Sequence, residues 1–135
     1  MKFYFAGSIR GGREKVELYI KINELLEKYG EILDRHVANP NLSNIGENVS
    51  TEEIYQRDIH WIEESDLMIA EVSMPSLGVG YELSYAERLG KRIICLCDHS
   101  VNLSAMVAGN PNFEIIRYED SNDLLNQLNV ILERI

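Results

Sequence analysis

Residues 67–86 read LMIAEVSMPSLGVGYELSYA, which is an apolar strand followed by a Ser/Gly-rich loop and a helix. Backbone N–H groups and small hydroxyls in such a loop can close around an anion. Glu82 follows on the helix, where spacings of four and seven put it on the same face as Ala86 and Leu89. An acid on the buried side of a helix, next to a candidate phosphate loop, suits covalent catalysis.

Strand and helix patterns alternate along the rest of the chain. The predicted strands are residues 2–6, 31–34, 67–72, 92–97 and 113–118, and the predicted helices are 14–29, 50–64, 80–89, 103–107 and 122–135. A polar loop is predicted over 37–49. Near-continuous apolar strands are typical of a parallel sheet with helices on both faces. We therefore predict one α/β domain over residues 1–135, with a doubly wound, five-stranded parallel sheet of order 2-1-3-4-5 that is flavodoxin-like or Rossmann-like.

Composition excludes several classes of protein. The 135 residues carry a net charge of −9, which argues against binding to nucleic-acid polymers but not to a small phosphate held by local donors. No run of 18 apolar residues and no signal peptide are evident, so we expect a cytoplasmic protein without a membrane partner. Cys95 and Cys97 alternate within one predicted strand and are expected to be buried, and no zinc-ligand spacing is present.

The loop after the first strand also suits a phosphate. It consists of Gly7, Ser8, Ile9, Arg10, Gly11, Gly12 and Arg13. In the predicted strand order, it meets the loop that contains Ser76 and Gly78, because the carboxyl ends of strands one and three lie side by side. Neither loop matches a P-loop or a complete dinucleotide fingerprint, so two ordinary tight turns remain the alternative.

Asp58 is the second candidate acid. It lies four residues after Ile54, three before Trp61 and four before Ile62, on the apolar face of the helix that follows the capping box begun by Ser50. It either pairs with Arg57 or another arginine, or acts as an acid whose proton affinity is raised by burial. Two carboxyl groups in different environments can split a glycosidic bond with retention.

Three further positions have both a structural and a functional interpretation. Tyr4 is either a core aromatic or a partner of the acids, and His36 is either an exposed loop residue or part of the site. Ser104 begins the predicted short helix, where capping is its ordinary role.

These residues together carry a family resemblance. The segments YFAGSIRGGRE (4–14), HVA (36–38), AEV (70–72) and PSLGVGYEL (75–83), with Asp58 and Trp61, resemble the 2′-deoxynucleoside 5′-monophosphate N-glycosidases. These enzymes belong to the nucleoside 2-deoxyribosyltransferase superfamily. The resemblance runs from Tyr4 to about Met106.

The resemblance implies the catalytic roles. Glu82 would be the nucleophile that forms a deoxyribosyl ester, and Tyr4 would position its carboxylate. Asp58 would assist departure of the base by proton donation or hydrogen bonding, and His36 would lie near the base. No metal or organic cofactor is implied.

The resemblance also implies a phosphate site that a dimer completes. Ser8, Arg10 and Ser76, with Gly78 and the rest of the 7–13 loop, would hold the 5′-phosphate of a small nucleotide substrate. In a homodimer, Ser104, with Ala105 and Met106, would reach the phosphate of the partner subunit.

Two kinds of alternative function remain open. One is base exchange by a nucleoside 2-deoxyribosyltransferase, or hydrolysis of ribonucleotides such as CMP. The other is a nucleotide-binding sensor without catalysis, which would need neither Asp58 nor Glu82.

Overall fold

The structure, a computed structural model, describes residues 1–9, 15–39, 41 and 48–135. The strands are β1 (Lys2–Ala6), β2 (Glu31–Ile32), β3 (Leu67–Glu71), β4 (Arg92–Asp98) and β5 (Phe113–Tyr118). The helices are α1 (Val16–Leu26), α2 (Thr51–Glu64), α3 (Leu77–Arg88), α4 (Ala105–Ala108) and α5 (Ser121–Leu132), with a 3₁₀ turn at Arg35–Ala38.

All five strands pair in parallel in the order β2-β1-β3-β4-β5, which confirms the predicted fold class. The chain reverses its winding direction between β1 and β3, which are neighbours in register from Phe3 opposite Leu67 to Ala6 opposite Ala70. Ligands of doubly wound sheets bind beyond the carboxyl ends of such a strand pair. The loops that follow β1 and β3 therefore start side by side.

The sheet separates two apolar layers. On one face, α1 and α5 cover a layer that includes Phe3, Phe5, Tyr19 and Leu128. On the other face, α2 and α3 cover Tyr4, Ile62, Met68, Leu83, Cys95 and Cys97. Successive strand residues point to opposite faces, which explains why Phe3 and Tyr4 belong to different layers. The expectation that both cysteines are buried is confirmed.

Helix α3 begins at Leu77, three residues before the predicted start at Gly80. The hydroxyl of Ser76 accepts a hydrogen bond from the backbone N–H of Val79 at 3.3 Å and so caps the helix. The prediction was wrong because Gly78 and Gly80 suggested a loop, whereas the cap and the packing of Val79 outweigh the low helix propensity of glycine.

Other boundaries differ from the predictions by a few residues. Helix α1 is shorter than the predicted 14–29, β2 ends at Ile32, and part of the predicted 37–49 loop is the end of the 3₁₀ turn. The predicted cap of α2 is confirmed, since the Ser50 hydroxyl accepts from the N–H of Glu53 at 3.2 Å. Among the described residues, no helix has the length and apolarity needed to cross a membrane.

Candidate active site

A cleft of about 360 Å³ opens at the carboxyl edge of the sheet, between the loop after β1 and helices α2 and α3. Its lining residues are Gly7, Ile9, His36, Thr51, Ile54, Tyr55, Asp58, Ile59, Ile62, Ser76, Gly78, Val79, Tyr81 and Glu82. The cleft thus brings both predicted catalytic acids together with residues from both predicted phosphate loops.

Glu82 lies on α3 at one wall of this cleft, and the hydroxyl of Tyr4 on β1 donates a hydrogen bond to its Oε2. Burial raises the pKa of Glu82 to about 7; the Tyr4 hydrogen bond opposes that rise and the nearby charge of Asp58 adds to it. The pKa of Tyr4 is raised well above its usual value by burial and by Glu82, so this hydroxyl remains a donor at neutral pH. Tyr4 is therefore both a core aromatic and a partner of the acid.

Asp58 lies on α2 and is part of the same cleft. Its Oδ1 accepts a hydrogen bond from Nε of Arg57 at 3.0 Å, and Nη2 of Arg57 lies 2.9 Å from the same oxygen. Asp58 thus pairs with Arg57, as expected, and also lines the cleft. The side chain of Asp58 is 21% exposed, which leaves it accessible to a ligand.

An aromatic and cationic cluster stands beside Asp58. The guanidinium of Arg57 lies 4.7 Å from the ring centroid of Trp61, and the Trp61 and His36 rings are 5.8 Å apart. Nη2 of Arg57 lies 3.4 Å from Nε2 of His36. A guanidinium can only donate, so Nε2 of His36 accepts in this contact.

Asp34 is a third acid in this region, and sequence reasoning missed it. It is fully buried, its Oδ1 accepts from the N–H of Phe5 at 2.8 Å, and its Oδ2 has no hydrogen-bond partner among the described residues. Burial raises the pKa of Asp34 well above its usual value, and the charges of Glu82 and Asp58 add to the rise. The sequence feature that could have identified Asp34 is its position after β2, at the carboxyl edge of the sheet.

The amino-terminal end of α3 faces the cleft through Ser76, Gly78 and Val79. A Cβ added to Gly78 would lie 3.8 Å from Oε1 of Glu82 and 3.9 Å from the Ser76 hydroxyl, so the glycine leaves the space between these two groups open. The free N–H groups and the positive dipole end of a helix favour an anion at this place.

The loop after β1 enters the cleft through Gly7 and Ile9. A Cβ on Gly7 would stand 2.7 Å from the Tyr19 ring, so only glycine fits between that ring and the cleft. Ser8 is buried, and its hydroxyl has no hydrogen-bond partner among the residues described. An unpaired buried hydroxyl costs stability unless a partner arrives. The remaining predicted loop residues, Arg10, Gly11, Gly12 and Arg13, lie outside the described residues.

Ser104, Ala105 and Met106 are exposed and do not line this cleft. The Ser104 hydroxyl accepts from the N–H of Met106 at 3.3 Å, as in an ordinary helix cap. Ser104 and Met106 instead line a second cleft of about 610 Å³, which shares Ser76 and Val79 with the first.

Sequence reasoning also missed part of the cleft wall. Tyr55 on α2 and Tyr81 on α3 are about half exposed, and their hydroxyls lie 3.4 Å apart. In the sequence both look like ordinary exposed helix positions, and their proximity arises only from the packing of α2 against α3.

Buried Glu71 holds the start of the loop after β3, because its Oε1 accepts a hydrogen bond from the N–H of Ser73 at 2.7 Å. Within the described part of the chain, no cluster of three or more His, Cys, Asp or Glu residues is arranged to hold a metal ion.

Comparison with solved structures supports the fold. A CMP N-glycosidase from Clostridium botulinum superposes with a TM-score of 0.73 at 24% identity, covering 97% of this chain and 99% of that one. A 2-deoxyribosyltransferase from Bacillus psychrosaccharolyticus gives a TM-score of 0.69 at 21% identity, with coverage of 98% and 96%.

Sequence comparison is more specific. The 5-hydroxymethyl-dUMP N-hydrolase of Esox lucius is 46% identical over 125 residues, or 89% of this chain and 86% of the relative. The enzyme of the same name from Danio rerio is 44% identical over 126 residues, or 89% of this chain and 88% of the relative. The family model of nucleoside 2-deoxyribosyltransferases matches residues 3–128. The chain therefore belongs to the nucleoside 2-deoxyribosyltransferase family.

Proposed function

We propose that this protein is a hydrolase that cleaves the N-glycosidic bond of (2′-deoxy)nucleoside 5′-monophosphates to a free base and (deoxy)ribose 5-phosphate. The observation that carries the proposal is the Glu82 carboxyl group, hydrogen-bonded by Tyr4 in a cleft that Asp58 also lines. The names of the relatives, which are N-hydrolases of a deoxynucleoside monophosphate, agree with it.

In the proposed mechanism, a carboxylate oxygen of Glu82 attacks C1′ of the sugar while the C1′–N bond breaks and its electron pair leaves with the base. The resulting ester is then hydrolysed by water, which restores Glu82 and releases the sugar phosphate. The negative charge of Glu82 also stabilises the oxocarbenium-like transition state. The Tyr4 hydrogen bond holds the attacking group in one orientation.

Asp58 assists departure of the base, either by donating a proton or by hydrogen bonding. It and Glu82 both line the cleft, on different helices, so the sugar can lie between the two acids. His36 lines the same cleft beside Asp58 and is assigned to the base.

The 5′-phosphate is assigned to the end of the cleft formed by the start of α3 and the loop after β1. Ser76 and Gly78, at the amino-terminal end of α3, line the cleft there. The hydroxyl of Ser8, which is buried without a partner among the described residues, is assigned as a further donor. The rest of the phosphate site is proposed from the loop sequence, namely Gly7, Ile9, Arg10, Gly11, Gly12 and Arg13. Binding energy from a phosphate remote from the scissile bond would orient the sugar against Glu82.

We further propose a homodimer in which Ser104, with Ala105 and Met106, completes the phosphate site of the partner subunit. Two observations support an interface at the second cleft. Leu77 and Met106 are large apolar side chains that are 97% and 83% exposed on its wall. The cleft also shares Ser76 with the first, so a partner seated there would lie next to the phosphate end.

The activity is tested with a panel of substrates. We expect release of free base, detected by chromatography, from 5′-monophosphates and little release from the matching nucleosides. A charge-assisted hydrogen bond is worth about 1.5–3 kcal/mol, so loss of the phosphate or Arg10→Ala should lower kcat/KM by at least about tenfold. Equal reaction of nucleosides and nucleotides would contradict the phosphate assignment. Transfer of the sugar to an added base would indicate a transferase, and a preference for ribonucleotides would indicate the CMP-type enzyme.

Glu82→Gln should fold and lose at least about a thousandfold in kcat, because no other group can form the ester. In the wild type, kcat/KM should rise as Glu82 ionises and level off above about pH 7. Tyr4→Phe removes the hydrogen bond that lowers the pKa of Glu82. The rise of kcat/KM in this variant should therefore occur at a higher pH than in the wild type. Glu24→Gln, a change of an exposed acid on α1, is the matched control. A Glu82→Gln enzyme as active as this control would remove Glu82 from the nucleophile role.

Glu82→Gln should also stabilise the fold at alkaline pH. The pKa of Glu82 is about 7 in the folded protein and 4.5 in the reference state, so its favourable contribution is present below pH 4.5 and is lost as pH rises through 7. One unit corresponds to about 1.36 kcal/mol, so Glu82→Gln should gain up to about 3 kcal/mol at pH 8 relative to wild type and little at pH 4.5. Urea unfolding of both proteins at the two pH values measures this difference. A gain independent of pH would mean that burial of the charge is not its cause.

Mixing of inactive chains tests the dimer. Glu82→Ala chains mixed with Ser104→Trp chains should recover activity, because the heterodimer has one site with an intact Glu82 and a partner's intact Ser104. Light scattering and subunit exchange of labelled chains establish that heterodimers form. Exchange without recovery of activity would contradict donation of Ser104 across the interface.

A further inference from the structure

We propose that Tyr55 and Tyr81, the tyrosine pair, are specificity-determining residues that close the base end of the cleft and so limit the size of the base. This inference rests on the proposed function, because it takes the base to lie beside Asp58. It goes beyond that function by assigning the choice of base to two side chains that take no part in breaking the glycosidic bond.

The two tyrosines stand next to the two candidate acids on the same helices. On α2, Tyr55 precedes Asp58 by three residues, so these two side chains share one face of the helix. On α3, Tyr81 directly precedes Glu82. Both tyrosines line the cleft together with both acids. A base held beside Asp58 would therefore lie about one helical turn, roughly 5 Å, from the position of Tyr55.

The contact within the tyrosine pair joins the two helices that form walls of the cleft. The two hydroxyl oxygens lie 3.4 Å apart, and the ring centroids lie 6.3 Å apart with the ring planes tilted by 58°. Tyr55 is 55% exposed and Tyr81 is 54% exposed. A hydroxyl contact that is longer than the usual distance of about 2.7 Å, between two exposed groups, competes poorly with water. The tyrosine pair can therefore separate for a ligand at little cost in stability.

Contacts outside the cleft hold α2 and α3 together. The hydroxyl of Tyr85 on α3 donates a hydrogen bond to Oε2 of Glu63 on α2 at 2.9 Å. The ammonium of Lys91, after α3, donates to the carbonyl oxygens of Glu63 and Ser65 at 2.8 Å and 2.7 Å. These four residues do not line the cleft. Separation of the tyrosine pair therefore does not require the two helices to part.

The surroundings of the tyrosine pair suit a flat base of limited size. Ile54 and Ile59 line the cleft on the same helix as Tyr55, and apolar and aromatic side chains favour contact with the faces of a base. The whole cleft measures about 360 Å³, near the lower end of the range of about 300–1,000 Å³ for small-ligand sites, and it also has to hold the sugar and phosphate. A one-ring base fits while the tyrosine pair is closed, whereas a two-ring base has to push the tyrosines apart.

The experiment compares hydrolysis of dUMP and dGMP, which share the sugar and phosphate and carry a one-ring and a two-ring base. The intrinsic reactivity of each nucleotide is the same for every variant, so a change in the ratio of their kcat/KM values reports on the protein. Tyr55→Ala and Tyr81→Ala should each lower the dUMP-to-dGMP ratio by at least about tenfold, because space opens for the larger base. Tyr55→Trp, which adds a ring at an exposed position, should raise the ratio.

Tyr85→Ala is the matched control, since it removes a phenol that links the same two helices outside the cleft. It should leave the dUMP-to-dGMP ratio unchanged, and thermal unfolding establishes that each variant is folded. A shift in Tyr85→Ala equal to that in Tyr55→Ala would assign the effect to helix packing and overturn the proposal. An unchanged ratio in folded Tyr55→Ala and Tyr55→Trp would overturn it as well.

A binding measurement without turnover keeps this proposal distinguishable from the proposed function. Calorimetry gives the Kd of dUMP and of dGMP for Glu82→Gln, alone and combined with Tyr55→Ala, and the second substitution should shift the preference toward dGMP. If the wild type hydrolyses no nucleotide but this shift is found, the proposed function fails while the role of the tyrosine pair stands. If nucleotides are hydrolysed and neither the Kd values nor the kcat/KM values shift in preference, the role of the tyrosine pair is wrong.

Discussion

The hydrogen bond from Tyr4 to Glu82 joins the interior strand β1 to helix α3, and the cleft is arranged around it. A carboxyl group that is largely removed from water is costly when it is charged, and here burial moves its pKa to about 7. The phenol offsets part of that cost and fixes the direction of the carboxylate. The geometry requires β1 and β3 to be adjacent, since only then do the loops and helix that follow β3 stand above the end of β1.

Three acids meet in this region, and the fold controls the charge of each in a different way. Asp34 is fully buried and accepts a single backbone N–H, so its neutral form is favoured. Asp58 is paired with the guanidinium of Arg57, at 2.9 Å. For Glu82, burial raises the pKa and the hydrogen bond from Tyr4 lowers it. Groups with different proton affinities at one site are what acid–base and nucleophilic chemistry needs at neutral pH.

The alternation of apolar strands and helices was sufficient for the strand order, and helical spacing placed Glu82 and Asp58 on the helix faces that line the cleft. The catalytic roles of these two acids stay predictions. The sequence was not sufficient for the start of α3, where the cap by Ser76 decides the boundary and two glycines point to a loop. It also missed Asp34 and the facing tyrosines, since their importance comes from contacts between residues distant along the chain. The phosphate-loop assignment of Arg10 to Arg13 stays a prediction.

The two clefts bear on how a protein with a net negative charge would bind the proposed anionic substrate. A net charge of −9 repels a phosphate at long range, but salt screens that repulsion beyond about 10 Å. What decides binding is therefore the set of donors within hydrogen-bond reach, and the amino-terminal end of α3 lies where both clefts share Ser76 and Val79. In the proposed dimer, the partner would add donors at this end and would also cover Leu77 and Met106. Burial of apolar surface and completion of the phosphate site would then be one event, which ties assembly to substrate binding.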